Sequence, residues 1–245
     1  MRRTRIGVLV PSTNATVEAD FHRLLPDGIS THSERLYIPD GQMSPDFLDI
    51  MNAELPAKVQ LLASARVDAI VYACTSGSFY RGASWDREVK ELVESTAQLP
   101  CVTTSVAVAE ALRHLGARNL SVSTPYPDWT NDRLSEYYGA AGFNVLTVDG
   151  DRRAAATGHG AINDQDPQEI TEFAVSKLAP GTDTLFLSCT AWRAVECVTE
   201  LESITGFQTV TSNQASLWAV LKALGLEGRV TGVGALFNPL PARTL

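Results

Sequence analysis

The feature that most constrains this chain is an internal repeat. Val67-Asp68-Ala69-Ile70-Val71-Tyr72-Ala73-Cys74-Thr75 is echoed by Thr182-Asp183-Thr184-Leu185-Phe186-Leu187-Ser188-Cys189-Thr190, which sets two cysteines 115 positions apart. Val10-Pro11 closes one β-rich run and Thr124-Pro125 closes another, 114 positions on. Leu115-Gly116 and Leu224-Gly225, 109 positions apart, end two helical runs. Three landmarks at nearly one offset describe a duplicated unit: two similar halves related by a pseudo-twofold axis.

Each half alternates short β-rich runs with longer helical ones. Strands are predicted at Arg5–Val10, Ser33–Ile38, Ala69–Ala73, Val102–Thr104, Leu120–Thr124, Asn144–Val148, Thr184–Ser188 and Gln208–Thr211. Runs such as Ala69-Ile70-Val71-Tyr72-Ala73 are continuously apolar, as suits parallel strands covered on both faces. Helices are predicted at Thr16–Leu25, Pro45–Ala65 behind Ser44, Trp85–Gln98 behind Ser84, Ser105–Leu115 and Thr130–Ala141. Further helices are predicted at Pro167–Leu178 behind Asp166, Ala191–Thr205 and Gln214–Leu224. The expected fold is α/β: two Rossmann-like parallel-sheet domains with a cleft between them. Residues 1–104 plus 214–245 form the first, on the Cys74 side, and 105–213 the second, on the Cys189 side. The tail Phe237-Asn238-Pro239-Leu240-Pro241 reads as irregular.

Several function classes are disfavoured. A net charge of −8 argues against nucleic acid, whose phosphates select basic stripes. No apolar run approaches the ~18–20 residues of a membrane helix, and the run Ile6–Val10 is too short for a signal peptide, so a cytoplasmic location is expected. Gly232-Val233-Gly234 lacks the third glycine of a dinucleotide fingerprint, and there is neither a phosphate-binding Gly-Lys-Ser/Thr nor a Gly-x-Ser-x-Gly elbow. The four histidines are scattered and no Cys-x-x-Cys occurs, so no metal site is expected. The cysteines of such a chain read as thiols rather than a disulfide frame.

Cys74 and Cys189 each stand where an apolar strand stops, Cys74 before a polar Gly-containing loop and Cys189 before what reads as a helix start. The carboxyl ends of parallel strands open onto the ligand crevice, and free N–H groups there favour anions and lower a thiol's pKa. Alone, either cysteine reads more readily as a small buried hydrophobe than as a reactive thiol. As a pair facing one cleft, they are suited to moving protons or adding to carbon without a cofactor. Cys101 and Cys197 lack strand-end settings and read as structural. Ser12 and Asn14 after the first strand, and Tyr126 after its repeat partner, are neutral donors for carboxylate oxygens. Thr75, Ser76, Thr190 and Ala191 add hydroxyls and backbone N–H groups to stabilise an enediolate. Asn14 reads equally as a helix cap and Tyr126 as a buried aromatic. Asn163, in the Gly-rich stretch Gly158–Asp164, is either a donor on a lid or an Asx turn. Arg193 reads as a solvated helix residue in preference to a partner for a substrate carboxylate.

These residues resemble the Asp/Glu racemase superfamily over nearly the whole chain. Ile6-Gly7-Val8-Leu9-Val10-Pro11-Ser12-Thr13-Asn14 is similar to the opening of maleate cis-trans isomerases. Thr75-Ser76-Gly77-Ser78-Phe79-Tyr80-Arg81-Gly82-Ala83 and Leu99-Pro100-Cys101-Val102-Thr103-Thr104-Ser105 are similar to arylmalonate decarboxylases. The resemblance implies two α/β domains around a cleft, no metal or organic cofactor, a small carboxylate substrate and a homo-oligomer. Arylmalonate decarboxylases carry Gly where Cys74 stands, whereas racemases and maleate isomerases keep both thiols, as this chain does. It also implies that Cys74 is a nucleophile, that Cys189 handles the proton, and that Asn14, Tyr126 and Asn163 hold carboxylates. The leading expectation is therefore isomerisation of maleate to fumarate. A two-cysteine racemase or a decarboxylase of a substituted acid is the alternative, with Trp192, Phe79 and Tyr80 as candidate contacts for a larger substituent. A non-catalytic carboxylate-binding protein is the third reading.

Overall fold

The computed structural model describes residues 2–39, 43–155, 158–226, 230 and 233–238. Among the described residues eight strands form two four-stranded parallel sheets. The first holds β1 (Thr4–Pro11), β2 (Ile29–Leu36), β3 (Ala69–Tyr72) and β4 (Cys101–Thr103). The second holds β5 (Asn119–Thr124), β6 (Asn144–Gly150), β7 (Thr184–Leu187) and β8 (Gln208–Thr211). Their orders are β2-β1-β3-β4 and β6-β5-β7-β8, the same arrangement used twice. The repeat read from the sequence is thus a repeat of topology, and β3 and β7, which lead into Cys74 and Cys189, occupy equivalent inner positions. Every residue of both is buried, which accounts for their continuous apolar character.

The helices described are α1 (Thr16–Leu24), α2 (Pro45–Ala53), α3 (Leu55–Ser64), α4 (Thr75–Phe79), α5 (Ala83–Ala97) and α6 (Thr104–Leu115). They continue with α7 (Asp128–Ala140), α8 (Arg152–Ala155), α9 (Pro167–Ser176), α10 (Val198–Thr205), α11 (Ser212–Ala223) and α12 (Gly234–Phe237). Two 3₁₀ turns lie at His159–Asp164 and Ala194–Cys197. Helices α6 and α11 pack against each other between the sheets. The apolar face of α6 (Val108, Leu112, Leu115) joins the core around Val122 and Phe186, while that of α11 (Leu217, Val220, Leu221) joins the core around Val8 and Val71. Each half therefore completes its core with a helix packed against the other's partner helix. Among the described residues no helix is long and apolar enough to cross a membrane.

Differences from the sequence expectation have local causes. The helix expected over Pro45–Ala65 breaks at Glu54, because Pro56 cannot donate to the Asn52 carbonyl and its ring crowds it. The strand expected at Ser33–Ile38 runs over Ile29–Leu36; it is a half-buried edge strand whose polar residues hide the period. Helix α5 starts behind Gly82, at φ +84°, instead of Ser84. The loop expected after Cys74 is the short helix α4. The helix expected from Ala191 begins only with the 3₁₀ turn at Ala194, since Cys189–Arg193 forms a turn that buries Trp192. The tail expectation lies, from Pro239 on, outside the described residues, as does Gly232.

Candidate active site

The carboxyl ends of β1, β3, β5 and β7 converge on a cavity of about 430 Å³ between the halves. Both Cys74 and Cys189 line it. Cys74 caps α4: its Sγ accepts the Gly77 N–H at 3.3 Å and lies 3.8 Å from Ser76 Oγ. Cys189 Sγ accepts the Ala191 N–H at 3.4 Å. These are the backbone donors that the sequence implied, but they do not make the thiols acidic. Burial pushes Cys74 up, against the pull of Gly77 and Ser76. Burial also pushes Cys189 up to about 11, against the pull of Ala191 and Tyr126. Dehydration of the sulfur outweighs two weak N–H···S bonds, so the expected lowering of pKa is corrected: both thiols are neutral at pH 7.

The close fit around Cys74 depends on Gly77. A Cβ there would stand 2.3 Å from Tyr72 Oη and 2.9 Å from Cys74 Sγ, so only glycine lets the first turn of α4 reach the sulfur. Tyr72 is itself fixed, its hydroxyl donating to Asn52 Oδ1 at 2.5 Å. That contact continues through Asn52 Nδ2 to Tyr80 Oη (3.5 Å) and from Tyr80 to Asp49 (2.5 Å), which pairs with Arg81 (2.6 Å).

Thr75, Ser76 and Asn14 line the cavity from the first half; Tyr126, Thr190 and Ala191 line it from the second. Of its two expected roles, Asn14 takes that of the helix cap, and it stands on the cavity wall. Its Oδ1 accepts the Thr16 and Val17 N–H groups (2.9 and 3.1 Å), capping α1, and its Nδ2 donates to Thr190 Oγ1 at 3.0 Å. Thr190 Oγ1 in turn donates to the carbonyl of Ala73 at 3.2 Å, joining the two strand ends. The Tyr126 hydroxyl lies against Thr75 and Cys189, with its ring set edge-on to Phe79 at 6.4 Å.

Two expected donors are not brought to the cavity. Ser12 Oγ accepts the Ile38 N–H at 3.0 Å, fixing the exit of β2. Asn163 is a clasp between the halves. Its Oδ1 accepts from Ala15 N (2.9 Å) and Thr16 Oγ1 (3.0 Å), and its Nδ2 donates to the carbonyls of Thr13 (2.9 Å) and Gly160 (2.8 Å). Its hydrogen-bonding capacity is spent on the protein. Trp192, Phe79 and Tyr80 are buried away from the cavity, Trp192 donating to Gln165 Oε1 at 2.6 Å. Arg193 pairs with Glu196 at 2.8 Å, as a solvated residue does. Cys101 and Cys197 are buried in the cores, the latter with its thiol 3.3 Å from the Pro167 carbonyl.

The walls that sequence reasoning missed are Ile38, Met43, Trp129 and Ile162, with the ion pair Arg152–Asp128 also on the lining. Trp129 had a usable signal: it follows Tyr126 by three residues at the start of α7, on the same strand end. Its Nε1 donates to the Met43 carbonyl at 3.1 Å, tying the second half to the β2–α2 connection.

The sequence profile of the arylmalonate decarboxylase family matches residues 6–237. The chain is 30% identical to a maleate isomerase of Pseudomonas putida, covering 96% of this chain and 97% of the relative. It is 29% identical to an arylmalonate decarboxylase of Bordetella bronchiseptica, covering 95% and 96%. A structure of a mutant Nocardia farcinica maleate cis-trans isomerase with a covalently bound succinylcysteine intermediate superposes with a TM-score of 0.86 at 25% identity, covering 96% of this chain and 98% of that one. Repeat, paired sheets and matching length agree: the chain belongs to the arylmalonate decarboxylase family.

Proposed function

We propose that the protein is a cofactor-independent cis-trans isomerase converting maleate, or a closely similar unsaturated dicarboxylate, to its trans isomer. The observation that carries this reading is the pair of thiols on equivalent strand ends facing one cavity. One carboxylate is held by Asn14, Ser76 and the backbone N–H of Thr75, the other by Tyr126 and the backbone N–H of Thr190. The ionised fraction of Cys74 adds to an alkene carbon, forming a C–S bond while the π electrons pass to the adjacent carboxylate as an enediolate. Cys189 gives its proton to the other alkene carbon, the α-carbon of that enediolate, leaving a succinyl thioether on Cys74. The former double bond is now single and rotates. Cys189 then takes the proton back, the C–S bond breaks, and the trans alkene leaves with both sulfurs restored. The succinylcysteine of the Nocardia enzyme supports such an adduct.

A second reading is favoured by the cavity walls. The ~430 Å³ space holds about fourteen waters at ~30 Å³ each, far more than a four-carbon dicarboxylate displaces. Ile38, Met43, Trp129 and Ile162 suit an apolar substituent. On this reading, the two thiols exchange the α-proton of a substituted acid from opposite faces. Proton NMR of reduced protein in heavy water separates the two. Fumarate formed from maleate supports isomerisation; deuterium entering the α-position of a substituted acid, without conversion of maleate, replaces it with racemisation.

A further inference from the structure

The pseudo-twofold makes one departure from symmetry informative. After each cysteine comes a threonine, and the helix after the last strand of each half supports that threonine's carbonyl. In the first half Ser105 Oγ of α6 donates to the Thr75 carbonyl at 3.2 Å, backed by Ser78 Oγ at 2.5 Å. In the second half Asn213 Nδ2 of α11 donates to the Thr190 carbonyl at 3.0 Å, backed by Asp20 Oδ2 of α1 at 2.6 Å. The scaffold needs only neutral groups for this contact, yet on the Cys189 side it places a carboxyl group that is 4% exposed.

We propose that Asp20 is a positioning residue whose ionised carboxylate fixes the Asn213 amide and, through it, the Thr190 carbonyl and the Cys189 turn. Thr190 is the junction of the cleft, because its hydroxyl also joins Asn14 to the Ala73 carbonyl beside Cys74. Asn213 Oδ1 is buried without a partner among the described residues. A protonated Asp20 would donate to that oxygen if the amide turned, and the Thr190 carbonyl would then lose its donor. The two protonation states of Asp20 thus select two orientations of one amide. Burial raises Asp20 to about 7, with Asn213 opposing; Glu196 also raises it, while Arg23 on the same helix and Arg193 lower it. Arg193 and Glu196 are paired to each other, so their fields largely cancel. Ionised Asp20, and with it the productive arrangement, is therefore the majority form above pH 7.

The catalytic consequence rests on the isomerase reading; the structural one does not, and two measurements keep them apart. The first follows the Asn213 side-chain amide and the Thr190 backbone amide by ¹H–¹⁵N NMR from pH 5 to 9. Both should shift with one midpoint near 7 in the wild type and stay flat in Asp20→Asn, whose side-chain oxygen still accepts from Asn213. The second is the pH profile of kcat/KM for maleate. Both proteins lose activity as the Cys74 thiolate fraction falls with pH, but between pH 8 and pH 6 the wild type should lose about tenfold more than Asp20→Asn, the extra factor that a single group of that midpoint dictates. That extra factor should be absent from Asp20→Asn, which keeps only the thiol limb, and Asn213→Ala should be slow at every pH. Flat amide shifts in the wild type, or an unchanged acid limb in Asp20→Asn, would overturn the proposal. Maleate left unconverted beside a clear amide titration would instead refute the isomerase reading and leave the positioning role standing.

Discussion

Gly77→Ala tests the claim that the nucleophile is set by packing. The added Cβ would lie 2.3 Å from Tyr72 Oη, and 2.9 Å from both Cys74 Sγ and Met51 Cε. Tyr72 is fully buried and held at 2.5 Å by Asn52, so its hydroxyl has no open space to retreat into. Overpacking of this kind costs about 1–3 kcal/mol, and losing the Tyr72–Asn52 bond costs about 1–3 kcal/mol more. A net of about 3 kcal/mol corresponds to a Tm drop of roughly 6–12 °C for a chain of this length. Turnover should suffer more than stability. Displacing Sγ by ~1 Å costs on the order of a hundredfold in rate. Calorimetry and steady-state kinetics on Gly77→Ala, with and without Tyr72→Phe, separate the two effects. Removing the hydroxyl relieves the shortest contact and should recover part of the Tm, but the contact with Sγ persists and turnover should stay low. A Gly77→Ala protein with the wild-type Tm and rate would refute the argument.

Other expectations follow from the same contacts. Cys189 alkylation by iodoacetamide in a Cys74→Ser background should rise about tenfold per pH unit from 7 to 10, because burial holds its pKa near 11; a plateau by pH 8 would contradict this. Asp20 sits at about 7 in the fold, and its ordinary value is 3.8. The folded state therefore holds a proton that the unfolded chain has released, and stability from this group falls as pH rises from about 4 to 7, by roughly 4 kcal/mol. Denaturant melts of Asp20→Asn across that range should lack this loss. Asn163→Ala removes the clasp between Thr13 and Gly160 and should destabilise the fold by about 1–3 kcal/mol, measured by urea unfolding. Arg152→Ala should raise KM for a dianion severalfold with kcat little changed, as for a charge that attracts substrate at the cavity without touching the chemistry.

The architecture was legible because both halves bury two faces of their inner strands, and double burial writes itself as apolar runs at β3 and β7. The same register made Cys74 and Cys189 visible as strand-end residues. What the sequence did not carry was three-dimensional competition. Nothing in Cys74-Thr75-Ser76-Gly77 tells whether the Gly77 N–H and the Ser76 hydroxyl or the loss of water dominates at the sulfur, and burial decides it. Asn163 has the composition of a substrate donor, yet Thr13 and Ala15, about 150 residues away in sequence, take up its amide. Met43 became a cavity wall beside Ile38 where Trp129 of the other half holds its carbonyl, a contact between halves without a local signature. Asp20 gave no signal either, since its partner Asn213 lies 193 positions on.

Isomerisation as proposed stands on covalent addition of Cys74 to the substrate, with Cys189 supplying the proton. Intact-protein mass spectrometry with peptide mapping, on Cys189→Ser incubated with maleate and quenched in acid, tests it most directly. The expected result is a mass gain of one substrate, mapped to Cys74 and absent from Cys74→Ser. An adduct on another residue, or a Cys74→Ser enzyme that turns maleate over at the wild-type rate, would contradict it.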